Sequence, residues 1–183
     1  MHPDSFVVKE PQDNRTTAPH VLPIYATSSF VFENIDQGVE IFKNIESGHA
    51  YSRYANPTVD TVARKIADLE TLGLDMKAEA VLTSSGMSAI LLLGMGLLKQ
   101  GDHIVCSQSV FGSTIKLFSG EFSKWGISTT YVSQTDVAQW AAAIRPNTKL
   151  LFAETPTNPL TDICDIQALA DLAHNAGALL AVD

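Results

Sequence analysis

Cysteine is scarce in this sequence: there are two among 183 residues, Cys106 and Cys164. They stand far apart and in no metal-ligand spacing, so both read as reduced packing residues, and neither a disulfide scaffold nor a metal site is expected. Basic residues are also few. Twelve Lys+Arg, only four of them Arg, stand against 20 Asp+Glu and leave a net charge of −8. Without a basic face the chain is expected to bind no nucleic acid and no anionic membrane surface. Long apolar runs are missing too. The longest, residues 89–98, includes two glycines and is well short of the roughly 20 residues that cross a bilayer. Met1-His2-Pro3-Asp4 leads into polar sequence with no charged n-region and apolar h-region, so a cytoplasmic location is expected. Charged residues make up 17% and hydrophobic ones 45%, which excludes the disordered class and provides for a sizeable core.

What is present is a regular alternation. The first 50 residues carry turn formers such as Pro11, Asp13, Asn14 and Pro23 and predict an extended arm, with one short helix after Asn34. Asn56 and Pro57 form an N-cap and a first helical position, and Val59, Val62, Ala63 and Ile66 follow at helical spacing, so a helix is predicted over 57–70. Beyond it, strands are predicted at 78–82, 103–106, 128–132, 149–153 and 178–182. The helices between them fall at 87–99 (buried), 113–124, 137–144 and 165–175, the last stopped by Gly177. Strand and helix in turn imply an α/β fold with a mostly parallel sheet flanked by helices. Residues 178–182 read as a central strand, and the chain stops at Asp183, where parallel sheets place ligands. It therefore reads as a fragment; a natural terminus on an edge strand is the alternative.

Five segments carry polar or aromatic groups toward that edge. Thr83-Ser84-Ser85-Gly86-Met87-Ser88-Ala89 joins a strand to a helix, where free N–H groups and the helix dipole can hold a phosphate. By itself it is equally a plain helix cap. Tyr51-Ser52-Arg53-Tyr54 precedes a helix, and Arg53 can pair with a phosphate or lie on a solvated loop. Phe111 follows a strand and can present its ring to a planar ligand or pack in the core. Asn158, in a loop held by Pro156 and Pro159, can offer an amide, and Asp183 ends a strand with a carboxylate that needs a partner. Gly94 and Gly96 form a G-x-G inside a helix and read as a close-packing contact.

The strings Tyr51-Ser-Arg-Tyr-x-Asn-Pro-Thr58, Ser85-Gly-Met-Ser-Ala89, Gly101-Asp-His103, Phe111-Gly-Ser-Thr114, Glu154-Thr-Pro-Thr-Asn-Pro159 and Gly177-Ala-Leu-Leu-Ala-Val-Asp183 occur in this order. Together they resemble the Cys/Met-metabolism family of pyridoxal-phosphate enzymes over residues 23–183, roughly the first half of a member. The resemblance implies the truncated large domain of a fold type I transferase, with residues 1–50 as arm and short helix and 51–183 as the first part of the cofactor-binding domain. It implies pyridoxal 5′-phosphate as cofactor. Ser85, Gly86 and Met87 would bind the phosphate end, the last two through backbone N–H groups. Tyr51 and Arg53 would reach the phosphate of a neighbouring subunit, Phe111 would stack on the ring, Asn158 would contact its hydroxyl side and Asp183 would pair with its nitrogen. A homo-oligomer, expected as a dimer of dimers, and a small amino-acid substrate follow from the same likeness.

Two features refine the resemblance. Phe111 stands where many members have tyrosine, and the string it opens is most similar to the branch acting on O-succinylhomoserine with sulfide. That implies γ-replacement giving homocysteine in methionine biosynthesis; cysteine as nucleophile or γ-elimination from methionine are the family's alternatives. The stretch 71–78 is a few residues longer than usual. The family's Schiff-base lysine stands in a Ser-x-Thr-Lys motif well after the aspartate, and none of the eight lysines here has that setting. No catalytic residue is therefore assigned within the chain. The lysine is expected beyond Asp183, with the chain alone inactive and the parent protein active. A reading of another class is a lysine-less, non-catalytic chain that binds a phosphate ligand or pairs with a homologous subunit. A nicotinamide-dependent dehydrogenase would need a glycine fingerprint that residues 83–89 do not supply.

Overall fold

Side chains of asparagine, serine and aspartate start five of the described α-helices, each by accepting an N–H that the helix itself leaves free. In the computed structural model, which describes residues 20–43 and 48–183, Asn34 accepts the N–H of Gln37 at 2.9 Å and opens α1, Ile35–Phe42. Asn56 takes the N–H of Thr58 at 2.9 Å and opens α2, Pro57–Glu70, with Pro57 at its start. Both helices match their expected positions. Of the turn formers expected in the arm, Pro11, Asp13 and Asn14 lie outside the described residues. The chain divides into two compact units, Met1–Leu82 and Thr83–Asp183.

In the first unit, the extended segment before α1 is tied to the start of α2. Tyr25 N–H donates to Thr58 Oγ1 at 2.9 Å, Asn56 Nδ2 donates to the Tyr25 carbonyl at 3.0 Å, and Ser29 forms an antiparallel bridge with Tyr51. One residue therefore both caps a helix and anchors the segment beside it. The strand expected at 78–82 is not formed. These residues have no regular structure and join no ladder among the described residues, and Val81 is 74% exposed. The apolar pattern marks a segment suited to a sheet; only a neighbouring strand can make it one.

The second unit begins with α3, Gly86–Leu97, capped by Ser85. Then come β1, His103–Ser107; α4, Gly112–Lys116, which runs into a π-helical stretch, Leu117–Phe122; and β2, Ser128–Val132. Next follow α5, Val137–Ala143, capped by Asp136; β3, Thr148–Ala153; α6, Ile166–Asn175, capped by Asp165; and β4, Leu179–Val182. All neighbouring strands are parallel, in the order β2-β1-β3-β4. Successive side chains of a strand point to opposite faces, and the core divides accordingly. Ile104, Cys106, Leu150 and Phe152 join Ile90, Phe118 and Phe122 on one face. Val105, Leu151 and Ala153 join Trp140, Leu169 and Ala173 on the other. Helices thus cover both faces.

Three expectations need correction. Helix α3 is apolar all round, so sequence cannot say which side is covered; Ile90 and Gly94 are buried, while Met95 is 62% exposed. The helix expected at 113–124 winds wider at 117–122. Apolar residues four apart serve both windings, so the pattern does not separate them. Strand β4 is an edge of the described sheet although its sequence suits a central position. Both cysteines are buried and free as expected, and burial, followed by the charge of Glu154, pushes the Cys106 thiol far above its ordinary range. It stays protonated and unreactive.

Of the two glycines in the helical G-x-G, only Gly94 is a packing contact: a Cβ there would overlap the Phe122 ring, whereas one at Gly96 would meet nothing. Gly94→Val is therefore expected to lower stability by about 1–3 kcal/mol, read from the urea midpoint, with Gly96→Val as the near-neutral control. At the N-terminal edge of the sheet, fully buried His103 bonds Thr148 Oγ1 at 2.8 Å through Nδ1 and Thr130 Oγ1 at 2.9 Å through Nε2. Burial and then the charge of Arg145 lower its pKa from 6.5 to about 4. Between those values the unfolded chain binds a proton that the folded chain excludes. Stability is then complete above pH 6.5 and falls as the pH drops toward about 4, by up to roughly 3 kcal/mol. Urea titrations across this range should show that slope, and His103→Gln should flatten it; an unchanged slope would refute the assignment.

Candidate functional site

Where β3 and β4 end, the ladder runs on by one more residue. Asp183 N–H donates to the Ala153 carbonyl at 2.9 Å, and the Asp183 carbonyl accepts the N–H of Thr155 at 3.0 Å. Two residues on from Phe152 and Ala181, Glu154 and Asp183 therefore continue the sheet face that packs against α3 and α4. They border a cleft of about 490 Å³ lined by Gly86, Met87, Ile90, Phe111, Thr114, Glu154, Thr155, Pro156, Asn158 and Asp183. Four sequence segments meet there: the start of α3, the loop after β1, the loop after β3 and the end of β4.

The cleft has two electrically different ends. At the start of α3, Ser85 accepts the Ser88 N–H at 3.1 Å, while the N–H groups of Gly86 and Met87, which have no intrahelical acceptor, remain for a ligand. A Cβ at Gly86 would meet no protein atom within 4 Å, so packing does not demand a glycine there, and the bare backbone leaves room for close approach by a ligand. The opposite end is acidic. The Asp183 carboxylate makes no hydrogen bond or ion pair among the described residues. Partial burial, and then the charge of Glu154, raise its pKa. Such a group favours a cationic or hydrogen-bond-donating partner. Between the two ends, Phe111 is 51% exposed and offers a ring face to the cleft.

Gly86, Met87, Phe111, Asn158 and Asp183, all expected from sequence, are thus brought to one cleft. Ser85 is not among the lining residues; its hydroxyl serves the helix cap and lies 2.9 Å from that of Ser88. Tyr51 and Arg53 belong to the first unit. There the Arg53 guanidinium lies 5.2 Å from the Tyr51 ring centroid, and its Nη2 donates to the Tyr51 hydroxyl at 3.4 Å. Glu154 received no role from the sequence, although it stands in a quoted string. Carrying the two-residue alternation of β3 one step past Phe152 would have placed it in the site.

A family model for Cys/Met metabolism PLP-dependent enzymes matches residues 4–183. The chain belongs to this family. It is 47% identical over 180 residues to O-succinylhomoserine sulfhydrylase of Pseudomonas aeruginosa, covering 98% of this chain and 43% of that one. It is 38% identical over 172 residues to O-acetyl-L-homoserine sulfhydrylase of Corynebacterium glutamicum, covering 93% and 38% of the two chains. Among solved structures, a putative O-acetylhomoserine (thiol)-lyase of Campylobacter jejuni, containing N′-pyridoxyl-lysine-5′-monophosphate, superposes with a TM-score of 0.89 at 27% identity. That match covers 100% of this chain and 44% of the other. The chain spans less than half the length of each of these proteins.

The family is pyridoxal-phosphate-dependent, and the cleft suits that cofactor by its own chemistry. Free helix N–H groups beside a bare glycine would suit its phosphate, the Asp183 carboxylate would suit a protonated ring nitrogen, and the exposed Phe111 ring would suit its planar face. No metal-ligand cluster occurs among the described residues, and none of their helices is long and apolar enough to cross a membrane. Gly86→Val in the full-length protein is expected to weaken pyridoxal phosphate binding tenfold or more, about 1.4 kcal/mol, while the apo-protein's melting temperature holds. Unchanged affinity would show that no phosphate sits over Gly86.

Proposed function

We propose that the complete protein catalyses γ-replacement on an O-acylhomoserine, O-succinylhomoserine in particular, with sulfide, giving homocysteine in methionine biosynthesis. The observation that carries this reading is the 47% identity to an O-succinylhomoserine sulfhydrylase across nearly the whole chain. Phe-Gly-Ser-Thr at residues 111–114 supports the same branch. Residues 51–183 then form the first part of the cofactor-binding domain, residues 1–50 its arm, and the lysine that attaches the cofactor comes from sequence after Asp183.

Bound in the cleft, pyridoxal phosphate supplies the electron sink for carbanions at the substrate's α and β carbons. The residues of this chain bind and orient it. Gly86 and Met87 donate their N–H groups to its phosphate at the positive end of α3, with Ser85 fixing the cap. Phe111 covers one ring face, and Asn158 meets the hydroxyl side. Asp183 holds a proton on the ring nitrogen. Its neighbour Glu154 adds negative charge there and so strengthens the hold. Tyr51 and Arg53 reach the phosphate of a second subunit in a homo-oligomer, proposed as a cytoplasmic dimer of dimers.

Two neighbouring activities share this machinery: use of cysteine instead of sulfide, and γ-elimination from methionine. Steady-state assays of the full-length protein on O-succinyl- and O-acetylhomoserine, each with sulfide and with cysteine, separate them. The expected outcome is the highest kcat/KM for the succinyl ester with sulfide, and little release of methanethiol from methionine. A preference for cysteine, or methionine breakdown as the fastest reaction, would replace this assignment.

A further inference from the structure

Glu154 is the one charged side chain of the second unit that is both buried and seated in the cleft, at 7% exposure. Both of its carboxylate oxygens are engaged by backbone from different loops. Oε2 accepts the N–H of Phe111 at 2.6 Å, across 43 residues of sequence, and Oε1 accepts the N–H of Asn158 at 3.1 Å. Its backbone is held as well, since Gln134 Nε2 donates to the Glu154 carbonyl at 2.6 Å. A buried carboxylate is costly unless its oxygens are bonded. These contacts pay that cost with the backbone of the two residues assigned to the cofactor ring.

We propose that Glu154 is a positioning residue, a clamp whose two oxygens hold the Phe111 loop and the Asn158 loop in one frame, so that the ring face and the amide stay in register before any ligand arrives. The assignment of Phe111 and Asn158 to a pyridine ring rests on the function proposed above; the clamp itself rests on the two hydrogen bonds. Hydrogen bonds to a charged acceptor are stronger than neutral ones, and their loss frees the loops locally. Pre-ordering of this kind lowers the entropy lost on binding. It places no new contact on the ligand. The backbone N–H of Phe111 points to Glu154 whatever side chain stands at 111, so the clamp would serve tyrosine equally well.

Amide hydrogen exchange on the full-length apo-protein tests the clamp without any reaction. In Glu154→Gln the amide that replaces one oxygen can only donate, and so meets one N–H with another donor. Exchange at Phe111 and Asn158 is expected to speed up at least about tenfold while β1 and β3 keep their protection. The Kd for pyridoxamine 5′-phosphate should rise about tenfold. Glu154→Asp, which keeps the charge one methylene further back, should restore protection to at least one of the two amides, and it carries the test alone if the glutamine variant does not fold. Unchanged exchange at both amides in a folded variant overturns the clamp, as does loss of protection spread evenly through β1 and β3. Failure of the wild-type protein to bind pyridoxamine 5′-phosphate would sink the cofactor reading instead, leaving the exchange data to judge the clamp.

Discussion

Everything at the cleft depends on the backbone ladder between β3 and β4 continuing past the strands proper. The N–H of Asp183 on the Ala153 carbonyl, and the N–H of Thr155 on the Asp183 carbonyl, leave Asp183 no freedom to turn away from Glu154. Two carboxylates then share one sheet face and one small volume. Their mutual repulsion adds to burial in raising the Asp183 pKa, and the arrangement is tolerable because Glu154 is bonded twice to backbone. The site is consequently acidic at the strand ends and donor-rich at the start of α3. That polarity suits a ligand that carries both an anion and a cation.

The sheet also separates stability from binding. Its N-terminal edge carries His103, whose ring is tied to two threonines and kept neutral by burial and Arg145. The carboxyl edge carries the loops that line the cleft. Between them lie two largely apolar layers. Substitutions at the lower edge therefore act on folding and its pH dependence, whereas Gly86, where a side chain would touch no protein atom, is free of packing duty. Parallel α/β sheets commonly divide their labour in this way, with ligands beyond the carboxyl ends of the strands.

Much of this was legible in the residues alone. Asn34, Asn56, Asp136 and Asp165 announce helix starts because their side-chain oxygens satisfy N–H groups within two or three residues, an interaction that needs no tertiary context. The ordered strings from Tyr51 to Asp183 identified the family, and Gly86, Met87, Phe111, Asn158 and Asp183 were assigned to one ligand before any coordinates. Less legible were features that depend on a partner far along the chain. Residues 78–82 are mostly apolar yet join no ladder among the described residues. The covered side of α3 could not be read from a helix apolar on every side.

The sequence alone therefore determined most of the elements and their order, the α/β class and the family, since each rests on short-range periodicity, local capping or ordered strings of residues. Only the tertiary structure decided that Glu154 bonds Phe111 and Asn158 at once, that the Asp183 carboxylate makes no hydrogen bond or ion pair among the described residues, and that Gly94 rather than Gly96 receives the Phe122 ring. Those facts follow from which strand lies next to which and how deep each loop is buried. Neighbours 43 residues apart leave no mark on local pattern, because the pattern records which face a residue takes and not what waits on the other side.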